Sequence, residues 1–138
     1  MADFITFNEG ATELANNGLP ATCRFLLSTH GVGAGTAHAA SDTLGGGVGE
    51  ITGTGYSRQT ESEPTASSGT VSFAQKTWNT SSHTDWPAGC RSVVLVTSSD
   101  NSGKAICAWN LQTGGAARDM SAANTTENFT PTLIVTPG

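Results

Sequence analysis

The clearest pattern in the chain is a pair of mainly apolar runs, residues 90–98 and 104–110, separated by the polar segment 99–103. Valine, isoleucine and other apolar side chains favour strands, whereas Ser, Asp, Asn and Gly favour tight turns. The pattern therefore predicts a β-hairpin. Because residues 93–96 are consecutively apolar, we expect both faces of the first strand to be covered, in the middle of a sheet.

Further strands are predicted from shorter apolar patterns. Alternate residues of a strand share a face, so the inward positions follow from the spacing. The predicted strands are residues 21–29 (Cys23, Phe25 and Leu27 on one face), the segment that ends at Pro64 (Tyr56, Arg58 and Thr60 on one face), residues 70–78 (Val71 and Phe73 inward) and residues 132–136.

A short helix is predicted near the N-terminus. Asn8 suits a helix cap, Glu9 suits the first turn, and Asn17 followed by Gly18 is a good C-terminal stop, so the helix covers residues 9–16. The residues before it are apolar at alternate or adjacent positions. We therefore divide the chain into an N-terminal arm and helix, residues 1–20, and a β domain, residues 21–138.

These segments indicate one all-β domain. A chain of 138 residues is long enough to bury about two-thirds of its unfolded surface around a single core. Short strands joined by turns are typical of sandwiches and barrels. The expected fold is a single-domain antiparallel β-sandwich (jelly-roll-like) or a partly open barrel, with about seven to eight strands and a short N-terminal helix.

Charge and hydropathy exclude several classes of partner. The net charge is -5 and the six Lys and Arg residues are scattered, so nucleic-acid binding is not predicted. No apolar run approaches the roughly 20 residues of a membrane span, and no basic-then-apolar leader begins the sequence. We therefore expect a protein that is made and folded in a cytoplasm, with no membrane partner.

The three cysteines are Cys23, Cys90 and Cys107, an odd number with no C-x-x-C pair. Cys90 and Cys107 flank the hairpin and could face each other across it. Free cysteine is among the most buried residue types, so we favour three reduced, small apolar strand residues.

Residues 30–49 are rich in glycine and are expected to form a long loop. A phosphate cradle would need a Lys-Ser/Thr pair and a helix after the glycines, and neither is present. His30, His38 and Asp42 are candidate metal ligands, but no predicted element brings them together. We favour a solvated loop and predict no metal and no cofactor.

Catalysis is not expected from the remaining polar residues. His83 and Asp85 could act as a base and its orienting carboxylate, yet a His two residues from an Asp is commonplace in loops. No G-x-S-x-G nucleophile motif is present. We therefore predict no catalytic residue and no enzymatic activity.

Tryptophans suit both core corners and protein interfaces, because the large ring carries one polar group. Trp109 alternates with Cys107 in the hairpin and is expected in the core. Trp86, beside Pro87 in a turn-rich segment, is a candidate for an interface or for packing at an edge.

The order of motifs resembles a family of small virion proteins of tailed bacteriophages, which act as decoration, minor capsid, minor tail or fibre-associated proteins. The resemblance covers most of the chain, and each motif is short. The matching motifs are Phe25-Leu26-Leu27-Ser28-Thr29, Glu50, Gly55-Tyr56-Ser57-Arg58, Val71 to Phe73, Trp78 or Trp86, residues 93–96, Gly103, Ala108-Trp109, Phe129 and Leu133-Ile134-Val135.

This resemblance implies a structural protein without catalytic residues. The expected role is capsid decoration, and the expected location is the capsid surface of the virion. The expected partners are the major capsid protein and further copies of the chain, which form a homotrimer. The alternative is a minor tail or tail-fibre-associated protein that binds a receptor or a carbohydrate. Candidate interface residues are Phe4 and Phe7, on an arm that orders upon binding, and Trp86.

Overall fold

The structure is a computed structural model that describes residues 3–62 and 64–134. The described part is mostly antiparallel β structure with one short helix, which confirms that part of the predicted fold. The elements in chain order are β1 (Phe4–Thr6), α1 (Asn8–Asn17), β2 (Thr22–Ser28), β3 (Gln59–Ser62), β4 (Thr65–Ser67), β5 (Thr70–Ser72), β6 (Lys76–Asn79), β7 (Ser92–Val96), β8 (Ala105–Asn110), the 3-10 turn Thr113–Gly115, β9 (Thr126–Phe129) and β10 (Thr132–Ile134).

The predicted hairpin is confirmed and lies inside the main sheet. Strands β7 and β8 pair antiparallel, and every residue of both strands is buried. Their sheet has five strands in the order β1-β8-β7-β2-β3. Because strands flank β7 and β8 on both sides, their backbone groups bond within the sheet, and the consecutive apolar residues fill both of its faces.

One face of the five-stranded sheet carries the larger hydrophobic cluster. Phe25 of β2, Leu95 of β7 and Trp109 of β8 point to this side. They pack against a three-stranded sheet, in the order β10-β5-β4, and a two-stranded sheet of β6 and β9. Phe73 contacts Phe25 edge-on, with ring centroids 5.0 Å apart. This face therefore holds most of the aromatic packing of the core.

The opposite face is covered by Phe7, which precedes α1, and by residues 30–49. Val94 and Ala108 of the sheet meet Val32, Leu44 and Val48 of this segment, which are all buried. The segment is held to the helix by the Asn8 backbone N–H, which donates to the carbonyl of Ala40 at 2.8 Å. The stretch is a loop, as expected, since no helix or strand lies in it. It is not wholly solvated, however, because its buried residues pack on the sheet.

The side chain of Glu9 joins the helix, the cover and the hairpin. Its Oε2 accepts the backbone N–H of Leu44 at 2.9 Å and that of Ala105 at 2.6 Å. The predicted capping by Asn8 is wrong, because Asn8 is already helical and Phe7 is the cap residue, with no side-chain capping bond. The Glu9 carboxylate instead accepts hydrogen bonds from two backbone amides, one in the loop and one in β8.

The N-terminal residues form part of the main sheet. Phe4–Thr6 pairs with β8, and Phe4 lies opposite Trp109. The expectation of a free arm is therefore corrected, because the backbone of these residues completes the sheet edge. Helix α1 and β1 also pack on the same sheet as β2, so the division at residue 20 marks no gap in the packing.

Three predicted strands differ from those observed. The strand predicted over residues 70–78 is divided into β5 and β6, which lie in different sheets. The strand expected to end at Pro64 is regular only over Gln59–Ser62, because the chain turns at Gly55, whose φ is +80°, a conformation that favours glycine. The last strand is Thr132–Ile134, and the rest of the predicted stretch lies outside the described residues. Strand β1 was missed because it was assigned to the arm. Strands β4 and β9 were missed because their Ser, Thr and Asn content resembles that of loops.

The three sheets leave some edges and turns at the surface. Strand β4 is exposed at all three residues and pairs with β5 through a two-residue turn at Ser68 and Gly69, both with positive φ. Positive φ at both positions is the geometry of the turn that closes twisted hairpins most tightly. Among the described helices, none is long and apolar enough to cross a membrane.

Helix α1 approaches the hairpin closely because of Gly10. Strand β8 bulges opposite Val96, and the carbonyl of Ile106 at the bulge accepts the Phe7 N–H at 3.0 Å. A Cβ at Gly10 would lie 2.3 Å from the Ile106 oxygen and 2.4 Å from its Cα, both backbone atoms. The helix can therefore reach this position only if residue 10 has no side chain.

Gly10→Ala is expected to lower the free energy of unfolding by about 2 kcal/mol or more, because the overpacked helix must move off the sheet. Urea denaturation followed by circular dichroism measures this change. Gly89→Ala is the matched control, since no atom lies within 4 Å of a Cβ at that position. Equal stability of the two variants would contradict the packing described for α1.

Candidate functional site

A group of hydrogen-bonded polar side chains lies where residues 49–58 pass beside the end of β2. Residue Glu50 bridges to Ser28 at the end of β2, and the N–H of Ile51 donates to the carbonyl of Leu27 at 3.0 Å. The chain then turns back, with the Tyr56 N–H donating to the Gly53 carbonyl at 3.1 Å. This turn brings Tyr56 and Arg58 onto Glu50.

Glu50, Tyr56 and Arg58 form a continuous hydrogen-bonded network, called here the Glu50 network. The Glu50 carboxylate accepts from Arg58 Nε at 2.9 Å and from its second terminal nitrogen at 2.7 Å. The Tyr56 hydroxyl donates to Glu50 Oε2 at 2.9 Å and accepts the backbone N–H of Leu27 at 3.1 Å. A paired, two-point contact of this kind is the strongest form of Arg–carboxylate pairing.

The guanidinium of Arg58 has no donor left for a ligand. A guanidinium carries five N–H groups. Two donate to Glu50, and the other three donate to the carbonyls of Ser98 and Asp100 and to the side-chain oxygen of Asn101. The side chain is 9% exposed. Arg58 therefore ties the hairpin turn to the Glu50 segment.

Electrostatics keep Arg58 and Tyr56 each in one protonation state. The hydrogen bond to Glu50 raises the pKa of Arg58, so it stays charged. Burial, followed by the negative charge of Glu50, raises the pKa of Tyr56, so its hydroxyl stays protonated and can donate. Neither group is poised to exchange a proton near neutral pH. The geometry is that of a structural link between the Glu50 segment and the hairpin turn.

A shallow depression of about 520 Å³ lies beside the Glu50 network. Arg24, Ser57, Thr60 and Ser99 line it together with the network residues. Its surface offers hydroxyl groups and the guanidinium of Arg24, which forms no ion pair within the described residues. The depression is suited chemically to a small polar or anionic molecule.

His30, His38 and Asp42 come together in the structure. One ligand atom from each lies within 4.8 Å of the others, and the two imidazole rings are 5.6 Å apart. The fold achieves this by a bridge between Gly31 and Ala37, in which the His38 N–H donates to the Gly31 carbonyl at 2.8 Å. The assumption that nothing brings these residues together is therefore wrong.

His83 and Asp85 do not form a base and carboxylate pair. The Asp85 carboxylate accepts the backbone N–H of Thr54 at 3.0 Å and its hydroxyl at 2.7 Å. These bonds lower the pKa of Asp85, so the carboxylate is charged and holds the turn at residues 53–56.

The predicted interface side chains are mostly internal. Phe7 is fully buried, and Trp86 is 3% exposed, with its ring nitrogen donating to the Thr54 carbonyl at 2.9 Å. Phe4 is half-buried, and its ring centroid is 5.7 Å from that of Trp109. Phe7 and Trp86 therefore pack within the chain, Trp86 beneath the turn that positions Tyr56.

The predicted core position of Trp109 agrees with its burial, at 8% exposed. Trp78 is buried as well, with its ring nitrogen on the Ser57 carbonyl at 3.2 Å. Stacking of a sugar on a tryptophan would need an open ring face. None of the three tryptophans, all within the described ranges, offers one.

The cysteines are free and buried. Cys107 lies opposite Leu95, and Cys90 bridges to Arg118, so the two do not face each other. Burial raises the pKa of the Cys23 thiol to about 11 and that of Cys90 to about 12, and it raises that of Cys107 well above its usual value. These thiols are therefore poor nucleophiles.

Sequence reasoning missed the Glu50 network, although it placed Tyr56 and Arg58 on one face and included all three residues in the motif match. The signal that could have found it is the pair of glycines, Gly53 and Gly55, between Glu50 and Tyr56. No family model, no curated protein and no solved structure matches this chain.

Replacing Glu50 by Ala is expected to lower the free energy of unfolding by about 3 kcal/mol, because it leaves the charge of Arg58 unpaired at a mostly buried position. Chemical denaturation measures the loss. The double variant Glu50→Ala with Arg58→Ala should lose less than the sum of the two single losses, because the stranded charge is gone. Glu13→Ala, on the helix surface, is the control and should change stability by less than about 0.5 kcal/mol.

A second expectation concerns the thiols. At pH 8 a rise of the Cys23 pKa from 9.0 to about 11 lowers the thiolate fraction about a hundredfold, so a disulfide reagent should label the folded protein at least that much more slowly than the unfolded protein. Below the raised pKa, labelling should accelerate about tenfold for each unit of pH. A thiol that reacts in the folded protein at the unfolded rate would contradict the described burial.

Proposed function

We propose that this chain is a non-enzymatic structural protein of a bacteriophage virion, and that it decorates the outer surface of the capsid. The single observation that carries the proposal is the Glu50 network. Three separate motifs of the resemblance, namely the strand end at residues 25–29, Glu50 and the Tyr56-to-Arg58 motif, meet there in space. Motifs that are matched loosely along a sequence gain weight when they form one structural unit.

The chemistry of the network supports a mechanical role. Its acid, its phenol and its guanidinium are all hydrogen-bonded to one another or to backbone groups of the hairpin turn. A catalytic group needs a free lone pair or proton directed at a substrate. Groups that are satisfied internally contribute rigidity, and rigidity suits a protein that cements neighbouring subunits.

The layered packing supports the finer part of the predicted fold. The large cluster lies between the five-stranded sheet on one side and the two small sheets on the other. Two β layers around one apolar interior are the arrangement of a β-sandwich, so we propose a jelly-roll-like sandwich rather than a partly open barrel.

We place the contact with the capsid at the exposed edge of β4. Its residues pair with β5 on one side only, within the described chain. In a hairpin closed by a two-residue turn, Ser67 and Thr70 bond to each other, so the N–H and C=O of Ala66 point away from β5. An outward row of backbone groups can pair with a strand of a neighbouring subunit.

The alternative role, in a minor tail or fibre-associated protein, is supported by the polar depression beside Arg24. Its hydroxyl and guanidinium groups suit a saccharide or another small polar receptor group. The buried tryptophans argue against a sugar ligand, because sugar sites commonly use an exposed aromatic ring for stacking.

Copy number in purified particles separates the two roles. A decoration protein repeats over an icosahedral shell, so quantitative mass spectrometry should find on the order of hundreds of copies, and a homotrimer in solution by light scattering. Particles that lack the protein should lose their genome at lower temperature or salt, and added protein should restore resistance. Copies in single figures, together with particles that stay intact without it, would reject cementing.

Ala66→Pro tests the proposed contact, because proline removes the outward N–H and leaves the bonds to β5. We expect it to bind depleted capsids at least tenfold more weakly than the natural protein, in a sedimentation assay. Ala66→Ser keeps the N–H and is the matched control. Unchanged binding by a folded Ala66→Pro variant would reject the edge as the contact, and copy number would still decide the virion role.

A further inference from the structure

The cluster of His30, His38 and Asp42 contains two ring nitrogens with unused bonding capacity. Nδ1 of His30 and Nδ1 of His38 are both buried, and neither has a hydrogen-bond partner among the described residues. His38 is 6% exposed. Buried polar atoms are nearly always bonded, so two unpartnered nitrogens at one place require an explanation.

The hydrogen bonds of Ser92 fix the tautomer of His38. The Ser92 hydroxyl has one hydrogen, and it donates that hydrogen to the carbonyl of His30 at 2.6 Å. Nε2 of His38, 2.8 Å from the same hydroxyl oxygen, must therefore be the donor in that contact. In a neutral imidazole the proton on Nε2 leaves Nδ1 with a bare lone pair.

The ring of His38 is held in place by its surroundings. Its Nε2 lies 2.8 Å from the Ser92 hydroxyl, and the ring makes edge-on contact with Phe7, with centroids 5.4 Å apart. The lone pair on Nδ1 therefore has a fixed direction.

Glycines bring the backbone against two members of the cluster. A Cβ at Gly47 would lie 2.4 Å from a carboxylate oxygen of Asp42, and a Cβ at Gly49 would lie 2.5 Å from the ring of His30. Both glycines have positive φ. The glycine-rich composition of this segment therefore allows a close approach to the acidic and imidazole side chains.

We propose that His30, His38 and Asp42 bind a divalent transition-metal ion of the zinc class, through the Nδ1 atoms of both rings and one oxygen of Asp42. Two imidazoles and a carboxylate are donors that zinc prefers, and three protein ligands leave a fourth position for water. The bond from Nε2 of His38 to Ser92 is the outer contact that commonly orients a metal-bound imidazole. Asp42 is half-buried, which gives the ion a route from solvent.

The ion cross-links the glycine-rich segment within itself, because all three ligands lie in residues 30–42. Ser92, which bonds to His38, belongs to β7. This bond, already present without the ion, connects the metal-binding segment to the central hairpin. This inference does not depend on the proposed virion role.

Calorimetric titration of the full chain, first stripped with a chelator, tests the proposal with Zn²⁺ as the probe. We expect one ion per chain and a rise in melting temperature of about 5 °C or more at a hundredfold excess over the dissociation constant. Mg²⁺ and Ca²⁺ at the same concentration should give neither effect, because they prefer oxygen ligands. Absence of zinc binding would overturn the proposal.

Asp42→Asn should weaken zinc binding at least tenfold and leave the metal-free protein folded, because the amide oxygen still accepts the N–H of Ala39. The matched control is His83→Ala, which removes the only histidine outside the cluster and should bind normally. Equal binding by the natural chain and Asp42→Asn, or loss of binding in His83→Ala, would overturn the site.

Nitrogen-15 NMR of the natural protein tests the ligands without a substitution that could alter folding. Zinc should shift the Nδ1 resonances of His30 and His38 and leave those of His83 unchanged. Shifts confined to Nε2 atoms, or zinc that binds through the cysteine thiols, would contradict the assigned ligands.

Discussion

The rest of the structure depends on one constraint, the central hairpin with apolar residues on both of its faces. Every residue of β7 and β8 is buried, so the sheet needs a cover on each side. Burying one large aliphatic side chain contributes roughly 1.5–3 kcal/mol, and an uncovered face would forfeit several such contributions. Two small sheets provide one cover, and Phe7 with the glycine-rich segment provides the other.

The hairpin, β2, the helix and the reduced cysteines could be predicted because their signals are local. Consecutive valines, alternating Cys23, Phe25 and Leu27, and a Gly18 stop are all visible within a few residues. The cover at residues 30–49 could not be predicted. Its apolar residues Val32, Leu44 and Val48 are too widely spaced for any period, and they meet the core only through long-range contacts.

The candidate sites show the same division. Sequence reasoning named His30, His38 and Asp42 but lacked the bridge at Gly31 that gathers them. It named Phe7 as an interface residue and Trp86 as a candidate for an interface or for packing at an edge, because an apolar residue near a terminus or a proline gives no sign of its burial. Strand propensity also began β3 too early, because it takes no account of the backbone turn at Gly55 that the Glu50 network needs.

The two-residue turn at Ser68 and Gly69 has a practical consequence. It joins the exposed Ser67 to the half-buried Thr70 in a small outer hairpin, and it belongs neither to the cover nor to the Glu50 network. A foreign peptide spliced in there would be displayed outward without disturbing either face of the main sheet. Composition alone would recommend the glycine-rich segment for such grafting. A change in its length by even one residue, however, would displace the buried side chains that cover the sheet.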